Sequence, residues 1–171
     1  MRWFLLLVPL LVIATGCAQY TTDVPENRGP LEGSWVMTEI AVISERGENT
    51  YPDPVPGLFI FDQSHYSMIW MPLTETPPDF EEIWRPTEEE KAAAYSSIVV
   101  NSGTYTYTDT TVTTVPTVVK TPEFMGGYAV YTYKVEGDTL WMEMTDTVSR
   151  DGVQDPGVGL FRMPLRLIRA E

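Results

Sequence analysis

From Leu31 onward the chain is a succession of short runs rich in Val, Ile, Thr, Tyr and Trp, each closed off by turn residues. β-branched and aromatic side chains fit a pleated surface better than a helix, so the runs read as strands. The candidate strands are Gly33–Ile43, Leu58–Asp62, Tyr66–Met71, Gly103–Tyr107, Thr111–Val119, Tyr128–Glu136, Thr139–Val148 and Leu160–Ile168. Asp62-Gln63-Ser64-His65, Thr108-Asp109-Thr110 and Glu136-Gly137-Asp138 have the chemistry of tight hairpins, so neighbouring strands pair antiparallel. The expected fold is all-β: an antiparallel up-and-down barrel of about eight strands, enough to close a small barrel.

One segment departs from this pattern. Thr87-Glu88-Glu89-Glu90 matches a capping box, Pro86 precedes it, and Lys91-Ala92-Ala93-Ala94-Tyr95 continues with strong helix formers. The spacing predicts one short helix from Glu88 to Ile98, with acid in its first turn where the helix dipole favours it. Its weakly apolar face of Ala92, Tyr95 and Val99 is expected against the barrel. Before it, Pro72–Arg85 carries Pro72, Pro77 and Pro78 and shows no period, which suits a lid across a barrel mouth.

The opening Leu31-Glu32-Gly33-Ser34-Trp35 is similar to the Gly-x-Trp start of lipocalins and of the bacterial lipocalin-like domains. In the same order follow Tyr51-Pro52, Gly57-Leu58-Phe59-Ile60-Phe61-Asp62, Tyr66-Ser67-Met68, the helix at Glu89–Tyr95, Ser102-Gly103-Thr104-Tyr105 and Gly137-Asp138-Thr139-Leu140. Each motif alone is common; the ordered set covers almost the whole domain and resembles that family. The resemblance implies that Trp35 closes the barrel floor under an arginine of the last strand, Arg166 or Arg169. Family members often carry a histidine in the strand placed here at Thr111–Val119. This chain has Thr113-Thr114-Val115-Pro116 instead, so a function attached to that histidine is not expected.

Upstream, Arg2 is followed by the apolar run Trp3–Ile13 and the small residues Ala14, Thr15 and Gly16, with the chain's single cysteine, Cys17, directly after. The run is too short for a bilayer span, which takes roughly 20 residues, and has the layout of a secretory signal. Ala14-Thr15-Gly16-Cys17 resembles the lipobox of bacterial lipoproteins. That resemblance implies a diacylglycerol thioether on Cys17, cleavage before it, and acylation of the new amino group. Residues 1–16 are then signal peptide, 17–30 a lipidated tether broken by Pro25 and Pro30, and 31–171 the barrel domain. Two or three acyl chains hold where one binds only reversibly. Ala18, rather than Asp, after the cysteine resembles the sorting signal for the outer membrane, which implies an envelope protein facing the periplasm.

A single cysteine excludes an intrachain disulfide. The formal net charge of −13 repels polyphosphate and anionic lipid, and no basic patch interleaved with aromatics marks nucleic-acid binding. Membrane contact is therefore expected through the acyl chains alone. His65, the only histidine, falls beside a hairpin tip and reads as a solvated turn residue; with no Cys/His cluster, zinc is not expected. No Gly-x-Ser-x-Gly elbow and no phosphate-cradling glycine loop occurs. Asp79-Phe80-Glu81-Glu82 and Glu88-Glu89-Glu90 read as solvated acidic faces. Glu39 and Glu143 interrupt strands, so an inward orientation with acid–base potential is open for them. No cofactor is implied.

Alternation then sorts the strand faces. Leu140, Met142 and Met144 share one face, as do Ala129, Tyr131, Tyr133 and Val135, then Phe161, Met163, Leu165 and Leu167, and finally Tyr105 and Tyr107. Methionine adapts to irregular shapes and tyrosine pairs an apolar body with a polar tip. Tyr105, Tyr131, Tyr133, Met142, Met144 and Met163 are accordingly the candidate ligand-lining residues. Small barrels also fill their interiors with side chains, so a packed core and a narrow cavity both stay open. The expected function is non-catalytic binding of a small apolar or amphipathic molecule. The alternatives are a protein-interaction module presenting an aromatic patch around Trp70, Phe80 and Trp84, and a barrel-housed isomerase or hydrolase.

Overall fold

The structure is a computed structural model that describes residues 29–54, 56–72 and 75–170. The signal segment, Cys17 and the tether as far as Arg28 lie outside the described residues, as do Leu73 and Thr74 of the expected lid. The strands are β1 (Gly33–Ser44), β2 (Gly47–Pro52), β3 (Leu58–Asp62), β4 (His65–Trp70), β5 (Val99–Tyr107), β6 (Thr111–Val119), β7 (Tyr128–Glu136), β8 (Thr139–Val148), β9 (Phe161–Arg162) and β10 (Pro164–Arg169). One helix, α1 (Glu88–Ser97), links β4 to β5, and a 3-10 turn at Pro122–Phe124 links β6 to β7.

Eight of these strands close on themselves. The order is β10-β8-β7-β6-β5-β4-β3-β1, every pair antiparallel, and β1 then pairs with β10 through Trp35↔Arg169 and Ile40↔Leu165. This is a closed eight-stranded antiparallel barrel with one short helix. The sequence expectation missed β2, and β2 and β9 extend the pairing of β1 beyond the ring: β2 pairs along Glu39–Ser44 and β9 with Ile43 and Ser44. The expected last strand at Leu160–Ile168 is divided in two at Met163. The ring and the buried cluster inside it lie within residues 31–170.

The hairpins fix which end is which. Asp62↔His65, Tyr107↔Val112 and Glu136↔Thr139 bring three tight turns to the end where the chain enters at Gly33. Gly137, at φ 57, and Gln63, at φ 48, supply left-handed backbone at two of them. Leu31 and Trp35 are completely buried here, and the Trp35 indole N–H donates to the Leu31 carbonyl at 2.7 Å. The Arg169 guanidinium lies 4.1 Å from the Trp35 ring centroid and donates to the Glu32 carbonyl at 2.8 Å. The arginine over the floor tryptophan is thus Arg169, in a contact that contributes about 0.5–2 kcal/mol. Gly33 of the opening motif has φ 131, which favours glycine, and a Cβ there would push the Arg169 guanidinium from its place. Phe61 meets Tyr105 edge-on at 5.2 Å, Tyr105 stacks on Tyr107, and the Tyr133 hydroxyl donates to the Thr108 carbonyl at 2.7 Å. This end is packed solid.

α1 forms as its capping box dictates: the Thr87 hydroxyl accepts from Glu90 N–H while the Glu90 carboxylate accepts from Thr87 N–H. None of its residues is buried, which corrects the expected apolar face: Ala92 and Tyr95 are exposed, and Val99 falls beyond the helix, half-buried at the start of β5. The helix perches at the rim instead. Tyr95 hydroxyl donates to the Lys120 carbonyl, Lys120 Nζ donates back to the Tyr95 carbonyl, and the ammonium lies 4.7 Å over the Tyr95 ring.

Candidate ligand-binding site

The opposite end is built differently, because its strands are joined by long connections rather than two-residue turns. Between the upper ends of β3–β8 and β10 the side chains of Phe59, Met68, Trp70, Tyr131, Met144, Met163 and Leu165 bound a cavity of about 330 Å³ that opens at the rim. Small-molecule sites span roughly 300–1,000 Å³, so this one has room for a modest ligand. The rim is completed by Lys120 and Thr121 at the exit of β6, by Phe124 of the 3-10 turn, and by Asp155 and Phe161. Hydrogen bonds hold that side in place: Arg150 N–H to the Glu123 carbonyl, Asp155 N–H to the Thr147 carbonyl, and Gln154 Nε2 to the Asp146 carboxylate.

The expected lid is corrected by this geometry. Among the described residues of Pro72–Arg85, Pro72 borders the cavity, while Pro77–Phe80 lies along α1 and forms a separate groove with it. Glu81 N–H donates to Glu90 Oε1 at 2.8 Å, tying the segment to the helix rather than across the mouth.

A cluster of neutral polar groups interrupts the apolar interior. Tyr66 on β4, Asn101 on β5 and Thr114 on β6 are all buried, and Tyr131 on β7 completes the set. Thr114 donates to the Ala129 carbonyl. Among the described residues the Tyr66 hydroxyl and Asn101 Oδ1 have no hydrogen-bond partner, and the same holds for Tyr105 at the floor. Burial pushes the Tyr66 phenol up to about 12, partly offset by the Thr114 hydroxyl beside it. Burial raises Tyr131 further, with the neighbouring Tyr66 adding to the effect. Tyr105 is pushed up to about 12, chiefly by burial and then by the Glu32 carboxylate. The phenols are therefore held protonated, and the cavity floor is polar without being charged.

Of the six residues chosen from alternation, Tyr131, Met144 and Met163 border the cavity. Met142, Tyr105 and Tyr133 do not; Met142 is 1% exposed within the packed interior, and both tyrosines belong to the closed end. The inward orientation left open for Glu39 and Glu143 is corrected too. A bulge between Met37 and Glu39 turns Glu39 to the outer face opposite Arg166, and Glu143 alternates outward from buried Met142. Glu143 there accepts two hydrogen bonds from Arg162, one of them at 2.6 Å, and this pairing raises the guanidinium above its ordinary value. His65 is exposed, 3.3 Å from the Ser64 hydroxyl. Trp70, Phe124, Lys120 and Asn101 were missed as lining residues; Asn101 lay outside the expected strand Gly103–Tyr107, which in the structure begins at Val99.

The family model described as a lipocalin-like domain matches residues 32–155. That span runs from the opening of β1 to the rim residue Asp155 and takes in seven of the eight ring strands, stopping before β10. No curated protein matches the chain.

Proposed function

The chain belongs to the lipocalin-like domain family, and on that premise we propose that its barrel binds a small apolar or amphipathic molecule at the mouth, without catalysis. The observation that carries this reading is the asymmetry of the interior: a solid floor, and above it a cavity walled by aromatic and methionine side chains. A neutral apolar fluorophore such as N-phenyl-1-naphthylamine, added to the chain from Ala18 onward, is expected to brighten and saturate at one equivalent. Absence of saturable binding would remove the proposal.

The binder is, in this reading, tethered to a bacterial envelope membrane, the outer one facing the periplasm, through acyl chains on Cys17. The lipobox-like Ala14-Thr15-Gly16-Cys17 supports it. Gly29–Leu31 enter at the closed end, against Tyr107 and Trp35. A tether fixed at Cys17 then attaches at the end opposite the mouth, with the domain at most about 40 Å from its anchor. Intact mass of the membrane-extracted protein decides the anchor: added acyl mass is expected for wild type and none for Cys17→Ser.

A second reading has its own observation. Trp84 is 87% exposed and Ile83 69% exposed, on a segment that also carries Asp79, Glu81 and Glu82. An exposed aromatic patch of this kind suits contact with another protein. Trp84→Ser abolishing a cross-link to an envelope partner, with fluorophore binding intact, would favour that reading.

A further inference from the structure

Within the apolar mouth cavity one side chain is set against its surroundings. Asn101 is 5% exposed, borders the cavity, and leaves Oδ1 without a hydrogen-bond partner among the described residues. It faces Met68 across the β4–β5 pair, and Tyr66, one inward position deeper on β4, also has an unpartnered hydroxyl. A buried amide left unpaired loses its hydration with nothing in return, so a ligand group that reaches it recovers that loss. Because an amide both donates and accepts, a hydroxyl or a primary amide meets it equally well.

The charges around the cavity narrow the ligand further. Of the cations beside the cavity among the described residues, Arg162 is paired with Glu143, and Lys120 is held at the rim by the Tyr95 carbonyl and ring. The Asp155 carboxylate stands on the same rim, and the chain as a whole carries −13. A carboxylate drawn down to Asn101 would be desolvated beside neutral phenols and, when ionised, has no hydrogen to donate to the unpartnered Oδ1.

Resting on the ligand-binding reading of the mouth, we propose that this cavity selects a neutral amphiphile: an apolar chain ended by a hydroxyl or primary amide that hydrogen-bonds to Asn101, to the exclusion of the corresponding carboxylate.

The test displaces N-phenyl-1-naphthylamine from the chain beginning at Ala18 with 1-octanol, octanamide, octanoate and octane, at about pH 8 where the carboxylate is ionised. Octanol and octanamide are expected to bind at least about tenfold more tightly than octanoate. Asn101→Leu is expected to lower octanol affinity about tenfold while octane affinity holds, and Asn101→Ser to restore part of the loss. Octanoate binding as tightly as octanol overturns the proposal, as does an equal loss of octanol and octane affinity in a folded Asn101→Leu protein. If that variant does not fold, the wild-type ranking of octanol against octanoate still decides. Failure of the fluorophore and all four probes to bind overturns the ligand-binding reading itself; binding of all four alike overturns only the selectivity.

Discussion

The two ends of this barrel are walled by the same strands, alternating in the same way, yet one is filled and the other hollow. At the closed end, two-residue turns draw the strands together and Trp35, Phe61, Tyr105 and Tyr133 interlock beneath Arg169. At the mouth, the longer connections through α1, the 3-10 turn and residues 149–160 join the strands, and a cavity lies between the side chains there. Connection length, more than composition, sets whether a barrel end becomes core or cavity: aromatic and methionine residues occur at both.

The largest expected effect separates two tryptophans. Trp35→Ala removes the floor, its hydrogen bond and its guanidinium cover, and is expected to lose about 3–5 kcal/mol of stability in a denaturant titration. Trp70→Ala at the mouth has solvent on one side and meets Phe59 edge-on at 6.5 Å, so a smaller loss is expected, accompanied by weaker fluorophore binding. Equal losses would show that the mouth is structural core and break the distinction.

Next come two methionines on one face of β8. Met142 is enclosed, so Met142→Trp overpacks and is expected to cost roughly 1–3 kcal/mol. Met144 borders the cavity, so Met144→Trp is expected to fill it, lowering fluorophore affinity while the unfolding midpoint holds. A Met142→Trp protein of unchanged stability would mean that the hollow region extends deeper than the mouth.

That pair also shows where sequence reasoning stops. Alternation correctly separates Met142 and Met144 from Trp141 and Glu143, because side-chain direction has a period of two. It says nothing about height along the axis, which decides whether an inward residue meets the floor or the cavity. The fold was legible wherever local chemistry sufficed: Thr87–Glu90 as a helix start, Glu136-Gly137-Asp138 as a turn, and the ordered motifs from Gly33 to Leu140 as the lipocalin-like domain. β2 was not legible, since Gly47–Pro52 is exposed throughout and is held by its ladder to β1 rather than by burial. The bulge that turns Glu39 outward depends on the partner strand β10, which no local pattern encodes. Lys120, Phe124 and Asp155 come to the rim from separate connections and carry no common period.

A smaller effect compares the phenols. Tyr66 beneath the cavity and Tyr105 at the floor are both pushed up to about 12, so folding favours their neutral forms. Their contribution is fully present below the ordinary phenol value of about 10 and is lost as pH rises through about 12. Phenolate absorbance is expected to keep rising beyond the range in which an ordinary phenol is spent, with stability falling over the same interval. Tyr66→Phe and Tyr105→Phe should each remove part of that late rise. Neither should destabilise the fold strongly near neutrality: the Tyr105 hydroxyl has no partner among the described residues, and Tyr66 has only the Thr114 hydroxyl beside it. Complete titration by about pH 10.5 would contradict the burial of both groups.

The smallest effect tests the segment that was expected to be a lid. The Glu90 carboxylate accepts from the Glu81 and Thr87 amides, with the Thr87 hydroxyl beside it, and these contacts hold it below the usual carboxylate range. With the folded value depressed, what this anchor contributes is present above the ordinary carboxylate value and is lost as pH falls through the lower, folded one. The group is fully exposed, so the barrel's unfolding midpoint is expected to hardly move. The local response is expected to be clear: the Glu81 and Thr87 amide resonances should titrate together, with a midpoint below that of a free glutamate side chain, and Glu90→Gln should abolish the transition. Pro77–Phe80 lies on α1 and apart from the cavity, so Glu90→Gln should also leave fluorophore affinity unchanged. A fall in affinity when this anchor is cut would mean that the segment governs access to the mouth after all, and that the two ends differ by a moving cover as well as by the length of their connections.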